Sequence, residues 1–129
     1  MRAALLVVLL LAGCATEAEV PVLAHARVDA LAVTPACVPR GATITLSVTI
    51  SNPTDEAGEI RFALYAQQVG NLVEAREPLA PHETRNVSYQ ATADVVGRTT
   101  IYATGADVRA GQAQLVVADP DSNPPVRCP

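Results

Sequence analysis

The sequence predicts an all-β fold, a seven-stranded sandwich, and three observations carry that expectation. Residues 42–51 (ATITLSVTIS) alternate strictly, with Ala42, Ile44, Leu46, Val48 and Ile50 on one face and Thr43, Thr45, Ser47, Thr49 and Ser51 on the other. A period of two in a run rich in β-branched residues marks a strand buried on one side. Turn-forming clusters recur between such runs: Pro39-Arg40-Gly41, Asn52 to Asp55, Gly70-Asn71, Pro78 to Glu83, Asp94 to Gly97 and Gly105 to Gly111. No stretch has the period of an amphipathic helix. Short strands with regular punctuation pack as two facing sheets.

The chain begins differently. Met1-Arg2 is a minimal positive start, and Ala3 to Ala12 (AALLVVLLLA) is an unbroken apolar run of 10 residues. A membrane-spanning helix needs about 20 such residues, so the run fits the apolar segment of a secretory signal instead. It ends in Leu11-Ala12-Gly13-Cys14, which resembles the lipobox of bacterial lipoproteins. That resemblance implies that residues 1–13 are a signal peptide, cut before Cys14, whose thiol takes a diacylglycerol and whose new amino terminus is acylated (by palmitate or a similar chain). The alternative is an ordinary signal peptide that happens to contain a cysteine. One acyl chain anchors only marginally, at about 0.8 kcal/mol per buried methylene, whereas two or three hold stably. Ala15 follows the cysteine, where the family uses aspartate for inner-membrane retention. The expected location is therefore the outer membrane in a diderm host, and otherwise the outer face of the cytoplasmic membrane.

The charge balance agrees with attachment through lipid. The 129 residues carry 13 acids against 9 basic residues, all arginine. Without residues 1–13 the count is 8 against 13, a net −5, which anionic headgroups repel slightly. The same acidity, with Phe62, Tyr65, Tyr89 and Tyr102 as the whole aromatic complement, excludes a nucleic-acid binder, which needs a basic face and stacking rings. Residues 14–27 show neither alternation nor caps and are interrupted by Pro21. They read as the lipidated terminus and a flexible tether of at most about 45 Å.

The sandwich is expected over residues 28–129. After strands at 28–34 and 42–51, Ile60, Phe62 and Leu64 alternate with Arg61, Ala63 and Tyr65, and Val87, Tyr89 and Ala91 with Ser88 and Gln90. Further strands fall at 72–76, 98–104 and 112–117. With few aromatics, the core depends on Val, Ile, Leu and Ala. Tyr65 and Tyr102 take the outward phase of their strands.

If Cys14 is lipidated, Cys37 and Cys128 remain. Two thiols in an oxidising exported compartment read as one disulfide, with two free thiols as the alternative. Strands alternate direction, so the turn holding Cys37 and the end of the last strand share a pole, and the tail can fold back to it.

A second resemblance spans residues 28 to about 121. Leu31-Ala32-Val33-Thr34-Pro35, Gly41 before a Thr/Val/Ile strand, Asn52, Leu79-Ala80-Pro81, Gly97 and Asp119-Pro120-Asp121 together resemble the bacterial cell-adhesion-related domain, CARDB. This implies an immunoglobulin-like, fibronectin-type-III-like sandwich. The family usually has glycine where this chain has His82, and an aromatic residue where it has Thr99.

The candidate site is a set of loop residues: Asp55, Glu56, His82, Glu83, Asp107 and Arg109. Loops 52–58, 77–84 and 105–111 are expected to gather at the pole nearest the tether, offering a polar surface to a partner. The acids come from separate loops without the spacing of a calcium loop, so no metal and no cofactor is assigned. Neither a nucleophile elbow nor a base suited to one is present, and no catalytic residue is assigned. The expected function is a non-catalytic, lipid-anchored Ig-like module presenting edges or loops to a protein or polysaccharide in the cell envelope. A loop-inserting protease inhibitor and an envelope-assembly accessory are the alternatives.

Overall fold

A computed structural model describes residues 20–129 of the chain. Cys14 and the expected signal peptide lie outside the described residues. Nine strands follow in order: β1 (Arg27–Thr34), β2 (Cys37–Pro39), β3 (Thr43–Ser51), β4 (Gly58–Ala66), β5 (Gly70–Leu79), β6 (Thr84–Thr92), β7 (Gly97–Thr104), β8 (Asp107–Val108) and β9 (Gln112–Ala118). They form a sheet of order β6-β3-β1-β8 facing one of order β2-β9-β7-β4-β5. The seven expected strands are all present. The two extra ones, β2 and β8, pair in parallel with β9 and β1 and are too short for a period to show in the sequence.

Alternation in β3 does what its pattern dictates. Ile44, Leu46, Val48 and Ile50 are buried in the core, where they meet Ile60, Phe62 and Leu64 of β4 and Ile101 and Leu115 of the same facing sheet. Each such side chain contributes roughly 1.5–3 kcal/mol by leaving water. In β1 the inward residues Val28 and Leu31 stand three apart, so one extra residue must be absorbed; the register with β3 shifts between Val28 and Ala30, a β-bulge.

All long strands run between two ends. At one end β1, β4 and β6 begin and β3, β5 and β7 finish; this is the entry end. At the other, the bridge end, β3, β5 and β7 begin and β9 finishes. The bridge end is closed covalently. Cys37 sits opposite Val116 in the β2–β9 pair, the tail turns back through paired hydrogen bonds between Asp119 and Val126, and Cys128 bonds Cys37 across 91 residues with a Cα–Cα distance of 5.7 Å.

The last part of the segment expected as a tether is packed. From Pro21 onward it lies against the sandwich: Leu23 N–H donates to the Glu59 carbonyl and Glu59 N–H to that of Pro21, both at 2.9 Å, and Leu23 and Ala26 are buried. The reason is a vacancy. β7 pairs with β4 only over Ala63–Ala66, leaving the first half of β4 with a free edge, which Pro21–Leu23 takes in parallel. Gly58 permits it, since a Cβ there would stand 2.5 Å from the Pro21 oxygen and 2.9 Å from the Leu23 side chain.

Candidate functional site

The entry-end loops are organised by one buried amide. Asn52 is 1% exposed, and its side chain uses all four of its hydrogen-bonding capacities. The Nδ2 donates to the carbonyls of Glu56 (2.7 Å) and Ala80 (3.1 Å), while Oδ1 accepts from the Thr54 N–H (3.0 Å) and hydroxyl (2.7 Å). Backbone bonds from Asn52 N to Glu83 O and from His82 N to Thr54 O complete the clasp. Loops 52–58 and 79–84 are thus one unit.

Within it the predicted site residues have separate tasks. Pro81 and His82 form the turn from Ala80 to Glu83; His82 has φ 58°, a left-handed conformation that histidine tolerates better than most residues. Its Nε2 meets Asp55 Oδ1 at 2.5 Å, with both side chains largely in water, so the pair contributes little stability. Glu83 turns inward, its Oε1 accepting from Ala80 N–H at 2.8 Å. Glu56 offers its carbonyl to Asn52 and leaves its side chain exposed.

Asp107 and Arg109 do not join them. They pair with each other at 3.4 Å on β8 and the turn after it. The register across that sheet runs Thr84, Ser51, Arg27, Asp107, three strand spacings or about 14 Å. The three loops share an end, but they do not converge into one surface. Among the described residues, no group of three or more His, Cys, Asp or Glu side chains is placed to hold a metal ion.

The outer faces of the two sheets differ in character. On β3 and β6 the face is polar and uncharged, with Thr45 opposite Gln90, Ser47 opposite Ser88 and Thr49 opposite Asn86. On the other sheet Tyr65 and Tyr102 are cross-strand partners, stacked with ring centroids 6.0 Å apart, and Tyr65 is 37% exposed. The sequence phase had placed both outward, and the register makes them one aromatic patch. Beside it, Arg61 and Arg76 face each other across β4 and β5 along a shallow groove that also includes Glu74 and Gly105. Arg61 is neutralised by Glu59 at 2.8 Å.

Where the edges β5 and β6 approach, Tyr89 closes the seam. Its hydroxyl donates to Glu77 Oε2 at 2.6 Å, its ring meets Phe62 edge-on, and Arg85 donates to Glu77 and to the Pro78 carbonyl. Burial, reinforced by the hydrogen bond and charge of Glu77, pushes the Tyr89 phenol above the ordinary tyrosine range.

No protein-family model matches this sequence, and no curated protein matches it. Solved structures do. The CARDB domain of a Pyrococcus furiosus protein, in complex with di-metal ions, superposes with a TM-score of 0.51 at 15% identity, covering 68% of this chain and 88% of that domain. This body has a CARDB-like, immunoglobulin-type sandwich fold. An alkylpurine DNA glycosylase of Pseudomonas fluorescens, bound to DNA containing an abasic site analogue, gives 0.56 at 16% identity over 73% of this chain. A β-glucosidase of Listeria innocua in complex with glucose gives 0.54 at 17% over 71%. This chain covers 30% and 16% of those two proteins. The shared property is the CARDB-like sandwich itself, a fold that hosts unrelated functions.

Proposed function

We propose that the chain is an exported lipoprotein whose Ig-like sandwich works without chemistry of its own, as a binding module held at a membrane by acylated Cys14. The observation that carries this reading is the coexistence of Leu11-Ala12-Gly13-Cys14, after a 10-residue apolar run, with a Cys37–Cys128 bridge. Each belongs to an oxidising, exported setting. The partner is a protein or a polysaccharide of the envelope. Its contact surface is the Tyr65–Tyr102 patch and the neighbouring β5 edge, because exposed tyrosines offer large contact area at low entropic cost. In the entry-end loops the amide of Asn52 and the carboxylate of Glu83 are spent within the loops themselves. Confinement to a surface raises the effective concentration of such a module near its partner.

Intact-mass measurement of membrane-extracted protein should show a diacylglyceryl and an acyl addition on a chain starting at Cys14, both absent from Cys14→Ala. Crosslinking in native membranes should recover a partner that Tyr65→Ala/Tyr102→Ala binds about tenfold or more weakly, the scale of an aromatic anchor. An unmodified terminus would refute the anchor, and undiminished capture would refute the patch.

A further inference from the structure

We propose that the entry end rests on the bilayer through an apolar surface made by Val20, Pro21, Val22, Ala57, Pro78 and Ala80, so that the disulfide end points away from the membrane. This rests on lipidation of Cys14 and adds to it an orientation.

The first support is the length of the connection. Pro21–Leu23 is fixed to β4 in parallel, so the chain leaves the body at the entry end with Val20 outermost. Residues 15–19 alone separate Val20 from Cys14. Six Cα steps reach at most about 21 Å in any conformation, whereas the 10 residues of β5 by themselves extend about 30 Å. On so short a lead the body cannot stand inverted, with the entry end lifted about 30 Å from the bilayer; the apolar exit then selects the stance with the entry end down.

The second support is the chemistry around the exit. Val20 and Val22 are 58% and 49% exposed. Beside Val20 and Pro21 lies an open groove of about 420 Å³, continued by Ala57, Gly58, Pro78, Leu79 and Ala80 without an ionisable side chain. Val69 and Val95 at the bridge end are exposed as well, so what sets the entry end apart is the groove free of ionisable side chains where the lipidated segment departs, which suits the boundary between headgroups and acyl chains. The acids Asp55 and Glu56 border this end and stand exposed, so the surface suits zwitterionic headgroups and is repelled by anionic ones.

The chain has no tryptophan, which makes single-tryptophan reporters clean. Lipidated full-length Val22→Trp, Pro78→Trp and, at the opposite end, Val95→Trp would be reconstituted into phosphatidylcholine vesicles with brominated acyl chains. All three positions are exposed, and thermal melts confirm folding. Tryptophan at 22 and 78 should lose roughly half or more of its emission, as burial at the headgroup boundary implies, with 95 unaffected. Phosphatidylglycerol should reduce the effect. Protein that floats with vesicles yet shows equal or no quenching at the two ends overturns the orientation alone. Protein that does not float overturns the anchor and the orientation with it. Blue-shifted emission at 78, which lines the groove, without quenching would assign the groove to protein, either residues 15–19 or a second copy, and overturn the proposal.

Discussion

The two ends of the sandwich solve the same closure problem with different chemistry. The bridge end is tied by a covalent bond: β2, the Asp119–Val126 turn and the tail are held together through Cys37 and Cys128. The entry end has no covalent tie. It is closed by the four hydrogen bonds of buried Asn52 and by Pro21–Leu23 seated over Gly58. Among the described residues each half leaves one buried polar side-chain atom without a hydrogen-bond partner: Arg85 Nε, at the second position of β6 near the entry end, and the Thr99 hydroxyl near the bridge end. Thr99 also lies beside a small void of about 20 Å³ near Ile44, Ile101 and Leu115. A crosslink acts mainly on the unfolded chain, whereas a hydrogen-bonded clasp acts in the folded one.

Removing the bridge should have the largest effect. A loop of 91 residues corresponds to about 4–5 kcal/mol on the chain-entropy model, against about 5–15 kcal/mol for a domain of ordinary stability. Cys37→Ala/Cys128→Ala should lower the urea midpoint accordingly. Amide exchange should rise first in β2 and residues 119–126 while the 52–58 and 79–84 loops keep their protection. Equal loosening at both ends would show that they are not independent.

Asn52→Ala attacks the other end. It leaves the Glu56 and Ala80 carbonyls and the Thr54 donors without their buried partner, a loss of about 2–3 kcal/mol. The increase in exchange should be confined to residues 52–58 and 79–84, and Asn52→Asp should not rescue it, since a carboxylate cannot donate to two carbonyls. Rescue by aspartate would remove the donor role assigned here.

The seam between the ends responds to pH. The folded chain retains the Tyr89 proton where the unfolded chain releases it. Its contribution is therefore complete below about pH 10 and is lost as pH rises beyond that through the raised folded value. Tyr89→Phe should cost about 1–1.5 kcal/mol at neutral pH and flatten the alkaline decline. An unchanged alkaline slope would mean that burial and Glu77 together do not hold the phenol protonated in the folded chain.

How much of this was readable beforehand depends on whether the deciding partner was local. β3 was legible because alternation and one-sided burial occupy the same ten residues. The cysteine pairing was legible from a count and from the alternation of strand direction. The seating of Pro21–Leu23 was not: it depends on where β7 leaves β4 and on the missing Cβ of Gly58, neither of which marks residues 21–23. Asn52 could be read as a turn residue and as part of the CARDB-like series. Its burial depends on Ala80, 28 positions away. The site residues Asp55 and His82 met as loop neighbours should. Asp107 and Arg109 were separated by the order β6-β3-β1-β8, which residue types do not encode.

Thr99→Val is the smallest expected effect and tests the contrast most directly. The substitution keeps the branched shape and removes a hydroxyl that is buried without a partner, which should raise stability by about 1 kcal/mol. Thr99 occupies the position where the resembling family carries an aromatic ring, and the void beside it lies where a larger side chain would fill space. Thr99→Phe therefore separates two explanations. A further gain over valine would mean that the void can accept the ring and that the bridge end is merely underfilled. A loss of the order of 1–3 kcal/mol, the cost of overpacking, would mean that neighbouring Ile44, Ile101 and Leu115 have closed around the smaller residue. In the double background without Cys37 and Cys128, the valine gain should persist if packing and crosslink act on different states of the chain. Its disappearance would show that the bridge itself holds Thr99 in its unpaired position.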